Sequence, residues 1–183
     1  PDKRPAMLVQ NGDFAVSHGD WLHLKSDSVV EDNILKAIPA IGRIEMPQHN
    51  SVPYAGTGFL VSDNLIMTNR HVAKMFIDGY GQQGLNFVPG QTAVIDYKEE
   101  LGTPSSQTMK ITKALMIHPY WDMALLEVED APAGVDPLML SLSEPEELAG
   151  REIAVIGYPA FDPRGDSAVQ NRVFDGVYNV KRL

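Results

Sequence analysis

The sequence of 183 residues contains no cysteine, which removes disulfides and thiolate chemistry from consideration. That absence fits a reducing compartment such as the cytosol, and it also fits the secreted bacterial proteins that are built without cysteine. No apolar run approaches the roughly 18 residues of a membrane-crossing helix, and no signal peptide is visible. Cations are scarce: 15 Lys and Arg stand against 24 Asp and Glu, for a net charge of −9. Affinity for nucleic acid comes from clustered Lys and Arg, so this balance argues against a phosphate-binding surface. The first residue is Pro1 rather than Met. The sequence therefore reads as a processed, excised or partial piece, with room for fused or neighbouring domains.

What is present is a β texture. A hydrophobic content of 44% suffices for a packed core, and the length suits one domain or one and a half. The first 37 residues differ from the rest. Pro1 to Asp27 is polar and aperiodic, and reads as a linker or the tail of a preceding domain. Ser28 and Glu31 have capping-box spacing, and Ile34, Leu35 and Ile38 follow at helical intervals. This predicts a short helix near Val29 to Ala37, ended by Pro39. His18 and His23 flank Asp20, but their spacing matches no standard metal-ligand pattern. They read as solvent-facing loop histidines, and no metal or cofactor is predicted anywhere in the chain.

Six short strands follow within residues 38–130: Ile41 to Met46, Gly56 to Val61, Leu65 to Thr68, Thr92 to Tyr97, Thr108 to Ile117 and Asp122 to Val128. The Ser62-Asp63-Asn64 stretch between the second and third reads as a hairpin turn. Asp78 to Gly90, rich in Gly and Gln, reads as a loop. Six strands with almost no helix predict a closed antiparallel barrel. Residues 131–183 read as a Pro- and Glu-rich connection with strands at Ile153 to Ile156 and Val177 to Val180. Nothing follows for those strands to close against, so an unfinished second sheet is expected.

Two residues carry candidate chemistry. His71 follows a strand in Thr68-Asn69-Arg70-His71-Val72, at a corner where a ring is both held and presented to a cleft. That placement suits a general base, although a histidine capping a core edge fits the same position. Asp122 opens a strand after the bulky His118-Pro119-Tyr120-Trp121. There the carboxylate is expected to be shielded, which would strengthen its pairing with an imidazole. Taken alone, it reads more readily as a turn residue.

Together with Gly56-Thr57-Gly58-Phe59 before them and Gly157-Tyr158-Pro159 after, the two segments form an ordered set. In that order the sequence resembles the chymotrypsin-like, or trypsin-like, serine peptidases. It is closer to the bacterial glutamyl-endopeptidase and HtrA-type branches than to the digestive enzymes. The resemblance covers about Ala37 to Tyr158. Arg70 departs from it, because a small residue is usual before the histidine.

The resemblance implies an all-β fold, a double antiparallel β-barrel whose first six-stranded barrel is complete here and whose second is only partly present. It implies a polypeptide substrate. His71 would take the proton of a serine hydroxyl and later pass it to the leaving amine. Asp122 would bind the other ring nitrogen and fix its tautomer. The nucleophile turn of the family, Gly-Asp/Asn-Ser-Gly-Gly, does not occur in the sequence. Gly165-Asp166-Ser167 begins like it, but Ala168-Val169 follows in place of the glycines that aim two amides at an oxyanion. Two readings stand: a serine endopeptidase domain of which this chain carries His and Asp only, and a non-catalytic trypsin-like barrel that serves as an interaction module. The paired His71 and Asp122 favour the first, since an interaction module has no chemical need for both.

Overall fold

Strict alternation in Ala124-Leu125-Leu126-Glu127-Val128 buries Ala124, Leu126 and Val128 and leaves Leu125 and Glu127 half-covered. That is the pattern of a strand with one face on a core. The same logic runs through the fold, here described from a computed structural model covering residues 5–49, 51, 52 and 54–183.

In chain order, β1 (Val9–Gln10) and β2 (Asp13–Phe14) form a small hairpin, and a 3₁₀ turn, Gly19–Trp21, leads into α1 (His23–Ser26) and α2 (Ser28–Ala37). After a second 3₁₀ turn, Ile38–Ala40, come β3 (Ile41–Glu45), β4 (Tyr54–Ser62), β5 (Leu65–Thr68) and α3 (Arg70–Ala73). Then follow β6 (Ile77–Asp78), β7 (Asn86–Phe87), β8 (Val94–Asp96), β9 (Thr108–Ile117) and β10 (Ala124–Val128). Two further helices, α4 (Pro145–Leu148) and α5 (Ser167–Phe174), complete the list.

Six of these strands close a barrel in the order β10-β5-β4-β3-β8-β9, with β10 returning to β9. Every pairing is antiparallel, and the barrel has no free edge. Its interior holds Ile44, Leu60, Ile66, Ile95, Ile111, Ile117 and Leu126, all buried. The predicted barrel and hairpin are thus observed, with Asp63 and Asn64 as the turn. The stretch expected to be a plain loop from Asp78 to Gly90 contains all of β7 and the second residue of β6, which pair as a two-stranded ribbon.

Three other expectations are corrected. Of the opening segment, residues 1–4 lie outside the described residues, and the remainder is not irregular. Met7, Val9 and Phe14 are buried with Ile34 and Ile38 in a second apolar cluster. Their alternation is too short to register as a periodic signal. The N-cap of α2 is Asp27, whose side chain accepts from the Val29 and Val30 amides, and Ser28 is already helical. Asp caps as well as Ser, and one position earlier satisfies the same orphan donors.

The third correction concerns residues 131–183. Among the described residues, no strand follows β10. Ile153 and Val155 are 82% and 73% exposed, because no neighbouring strand offers their backbone a ladder. Val177 to Val180 forms no strand either. The last residues do have partners, however. Met7 and Leu183 exchange backbone bonds at 2.7 and 3.0 Å, and Gly157 and Arg182 exchange another pair at 3.0 and 2.9 Å. Lys181 is fully buried, donating to the carbonyls of Ile38 (3.0 Å) and Tyr97 (2.7 Å). Residues 181–183 thereby fasten the opening segment to the barrel.

Candidate functional site

β5 and β10 are hydrogen-bonded neighbours, with Thr68 opposite Ala124. The residues just beyond Thr68 and just before Ala124 therefore emerge side by side at one end of the barrel. Beyond Thr68 the chain turns into α3, a helix of four residues. Its Val72 and Ala73 are buried against the core, so His71 faces outward. Gly56 permits this close approach, since a Cβ there would lie 2.7 Å from Val72 Cγ2. The glycine of the first motif is thus a packing requirement of the helix that carries His71.

His71 Nδ1 and Asp122 Oδ2 are 2.7 Å apart. The other carboxylate oxygen, Oδ1, accepts from the backbone N–H of His71 at 2.9 Å. Asn69 Nδ2 donates to Oδ2 at 3.3 Å and to the Asp122 carbonyl at 3.2 Å. Asn69 occupies the N-cap of α3 but makes no capping bond with its side chain, which is turned to Asp122 instead. These contacts hold Asp122 below the usual carboxylate range: first the His71 backbone N–H, then its ring, with a smaller contribution from the Arg70 charge. An ionised carboxylate only accepts, so Nδ1 carries a proton, and it is the neutral tautomer with this arrangement that presents its lone pair at Nε2.

The two sequence-predicted site residues are therefore brought together, through the ring nitrogen nearer the backbone. The shielding expected for Asp122 is not observed. The His71 and Asp122 side chains are 70% and 45% exposed, and Tyr120 and Trp121 are themselves largely exposed. The bulky residues do not cover the carboxylate because His118 turns the loop on itself. Its Nδ1 accepts from the Tyr120 and Trp121 amides at 3.2 and 2.8 Å, and its ring stacks on Trp121 at 5.3 Å. Hydrogen bonds, not exclusion of water, keep Asp122 ionised.

Sequence reasoning missed the role of Asn69, whose only signal was its place two residues before His71. The other candidates separate. His18 accepts from the Asp20 amide, and His23 Nε2 lies 3.2 Å from Glu152. Ser167 is the first residue of α5, and Asp166 before it is the N-cap, accepting from the Ala168 and Val169 amides. The Asp-Ser pair is thus a helix start. Among the described residues, Glu45, Asp96 and Glu99 bring carboxylate oxygens within 4.8 Å of one another. Arg43 already bridges two of them, at 2.7 Å from Glu45 and 3.3 Å from Glu99.

Residues 56–180 match the family model described as a trypsin-like peptidase domain. The chain belongs to that family. The matched stretch includes His71, Asp122 and both flanking glycine motifs. A probable serine protease of Lysobacter enzymogenes is 28% identical over 173 residues, which is 82% of this chain and 45% of that protein. The chain thus spans less than half the length of this curated relative. A solved structure described as "Structure of GrC" aligns with 80% of this chain and 59% of its own, at 17% identity and a TM-score of 0.43.

Proposed function

We propose that this trypsin-like domain belongs to a serine endopeptidase and contributes two of its three triad residues. His71 is the general base and then the general acid, through Nε2. Asp122 fixes the proton on Nδ1 and stabilises the imidazolium formed when the serine hydroxyl is deprotonated. The observation that carries this reading is the 2.7 Å contact between Nδ1 and an ionised carboxylate that also accepts from the His71 backbone. A carboxylate held from two sides cannot rotate away as the ring changes charge. In this reading residues 38–130 form the barrel module bearing both groups, and residues 1–37 and 131–183 flank it. The serine and its oxyanion amides belong to a part of the protein outside these residues, and the substrate is a polypeptide.

The test uses the longer protein that contains this domain. It should react with a serine-directed fluorophosphonate and cleave a denatured protein substrate. Asp122→Asn should reduce kcat by about 10⁴, because the wrong tautomer is then favoured. His71→Ala should reduce it to a similar residual level. A longer protein that neither reacts with the probe nor cleaves any peptide would reject the proposal in favour of the non-catalytic interaction module.

A further inference from the structure

An exposed ion pair is a weak device for alignment. Exposed pairs in water contribute about 0–1 kcal/mol, and both side chains lose rotamer freedom in forming them. His71 and Asp122 are exposed in this way, yet a proton transfer requires their geometry to be set in advance. The frame that holds them must therefore do the aligning.

Part of that frame is the turn between β9 and β10, and its own bonds do not fix its position relative to α3. The His118 amide donates to the Met123 carbonyl at 2.9 Å, and the Met123 amide to the Trp121 carbonyl at 2.8 Å. These bonds, with the His118 ring contacts, shape the turn internally. Arg70 makes the crossing. Its Nη1 donates to the Pro119 carbonyl at 2.8 Å and to the His118 carbonyl at 3.3 Å. It does so from the residue directly before His71, so one helical turn grips both ends of the segment that presents Asp122: Arg70 at 118 and 119, Asn69 and His71 at 122.

We propose that Arg70 is a positioning residue for the His71–Asp122 pair, tying the Asp122 turn to α3 through two backbone carbonyls. The inference rests on the functional reading above and adds a residue to it. A small side chain at this position has no reach to those carbonyls. Lysine has the charge and three donors on one nitrogen, and Nη1 alone makes both contacts here, but the flexible lysine stem is less pre-organised than the planar guanidinium.

The test is made on this chain and needs no catalysis. The wild type should show a downfield proton resonance from His71 Nδ1–H, identified by its loss in Asp122→Asn. Its His71 backbone amide should be protected from exchange by Asp122 Oδ1. In Arg70→Ala the resonance should broaden into solvent and the His71 amide should exchange about tenfold faster, as expected for losing charge-assisted hydrogen bonds. The Ile66 and Leu126 amides should keep their protection. Arg70→Lys should restore part of both signals.

An Arg70→Ala protein that retains the resonance and the His71 protection overturns the proposal. If Arg70→Ala also loses barrel protection, Arg70→Met, which keeps an unbranched apolar stem but removes the donors, decides: a loss at His71 with an intact barrel supports the proposal, and wild-type behaviour overturns it. Absence of the resonance in the wild type overturns both this inference and the paired-triad reading. A normal wild-type resonance that is indifferent to residue 70 overturns this inference alone.

Discussion

Lys181 makes the stability of this chain rise with pH, over a range in which few other groups titrate. Its ammonium is fully buried, and burial lowers its pKa from the ordinary 10.5 to about 8, against a smaller opposing pull from Glu100 and Asp96. Below about pH 8 both the folded and unfolded chains carry the proton, and the cost of burying the charge is constant. Between about 8 and 10.5 the folded chain has released the proton while the unfolded chain keeps it. The unfolded state then binds more protons, so stability increases with pH. The full gap corresponds to about 3 kcal/mol, of which about 2 should appear between roughly pH 7.5 and 9.5. Above about pH 10 the trend reverses, because burial also raises Tyr97 and Tyr158 and they ionise only on unfolding.

The neutral amine is tolerated because it still has two N–H groups for the Ile38 and Tyr97 carbonyls. The assay is urea unfolding at several pH values across that range. With a slope of about 2 kcal/mol/M, the midpoint should climb by about 1 M. Lys181→Met should be less stable throughout, since two carbonyls lose their donor, and it should show no climb. A flat wild-type midpoint, or an equal climb in Lys181→Met, would refute the reasoning.

Three further outcomes are expected. Gly56→Ala should cost about 1–3 kcal/mol in urea unfolding, because the added methyl meets Val72 at 2.7 Å and a β-branched buried neighbour yields little; a change under about 0.5 kcal/mol would show that α3 shifts freely. Asp166→Ala should destabilise α5 by about 1 kcal/mol through loss of its cap, read as faster exchange at Ala168 and Val169, whereas Ser167→Ala should leave both exchange and the activity of the longer protein unchanged. Amides of Ile153 to Val155 should exchange faster than those of Gly157, Arg182 and Leu183, which are held by backbone bonds; equal rates would mean that the exposed segment is paired.

The barrel was legible because each strand carries its signal locally. Ala124 to Val128 alternates, Thr108 to Ile117 is a long run rich in β-branched and apolar residues, and Asp63-Asn64 marks the tight turn that the four-residue strand Leu65–Thr68 requires. The opening and closing segments were not legible, for the opposite reason. Their order comes from distant partners: Met7 from Leu183, Gly157 from Arg182, and Lys181 from Ile38 and Tyr97. A single lysine near the end of a polar stretch reads as solvated, since lysine is almost never fully buried. Only the three-dimensional neighbourhood reveals two carbonyls awaiting a donor.

The same distinction separates the parts of the site. His71 and Asp122 could be paired from the sequence through the ordered motifs of the resemblance; in the fold His71 follows β5 and Asp122 precedes β10, and the register of these neighbouring strands fixes their separation. What holds them is not periodic. Asn69 turns away from capping its own helix, and Arg70 reaches carbonyls 48 and 49 residues away. As a departure from the resemblance, Arg70 stood out only as a large residue where a small one is usual. Its side chain leaves the interior to Val72 and Ala73 and is used along the surface instead. In a site this exposed, alignment cannot come from burial, so it has to come from cross-links between α3 and the Asp122 turn. The residues that supply them are the immediate neighbours of the histidine, at positions where sequence patterns report only that the chain is turning.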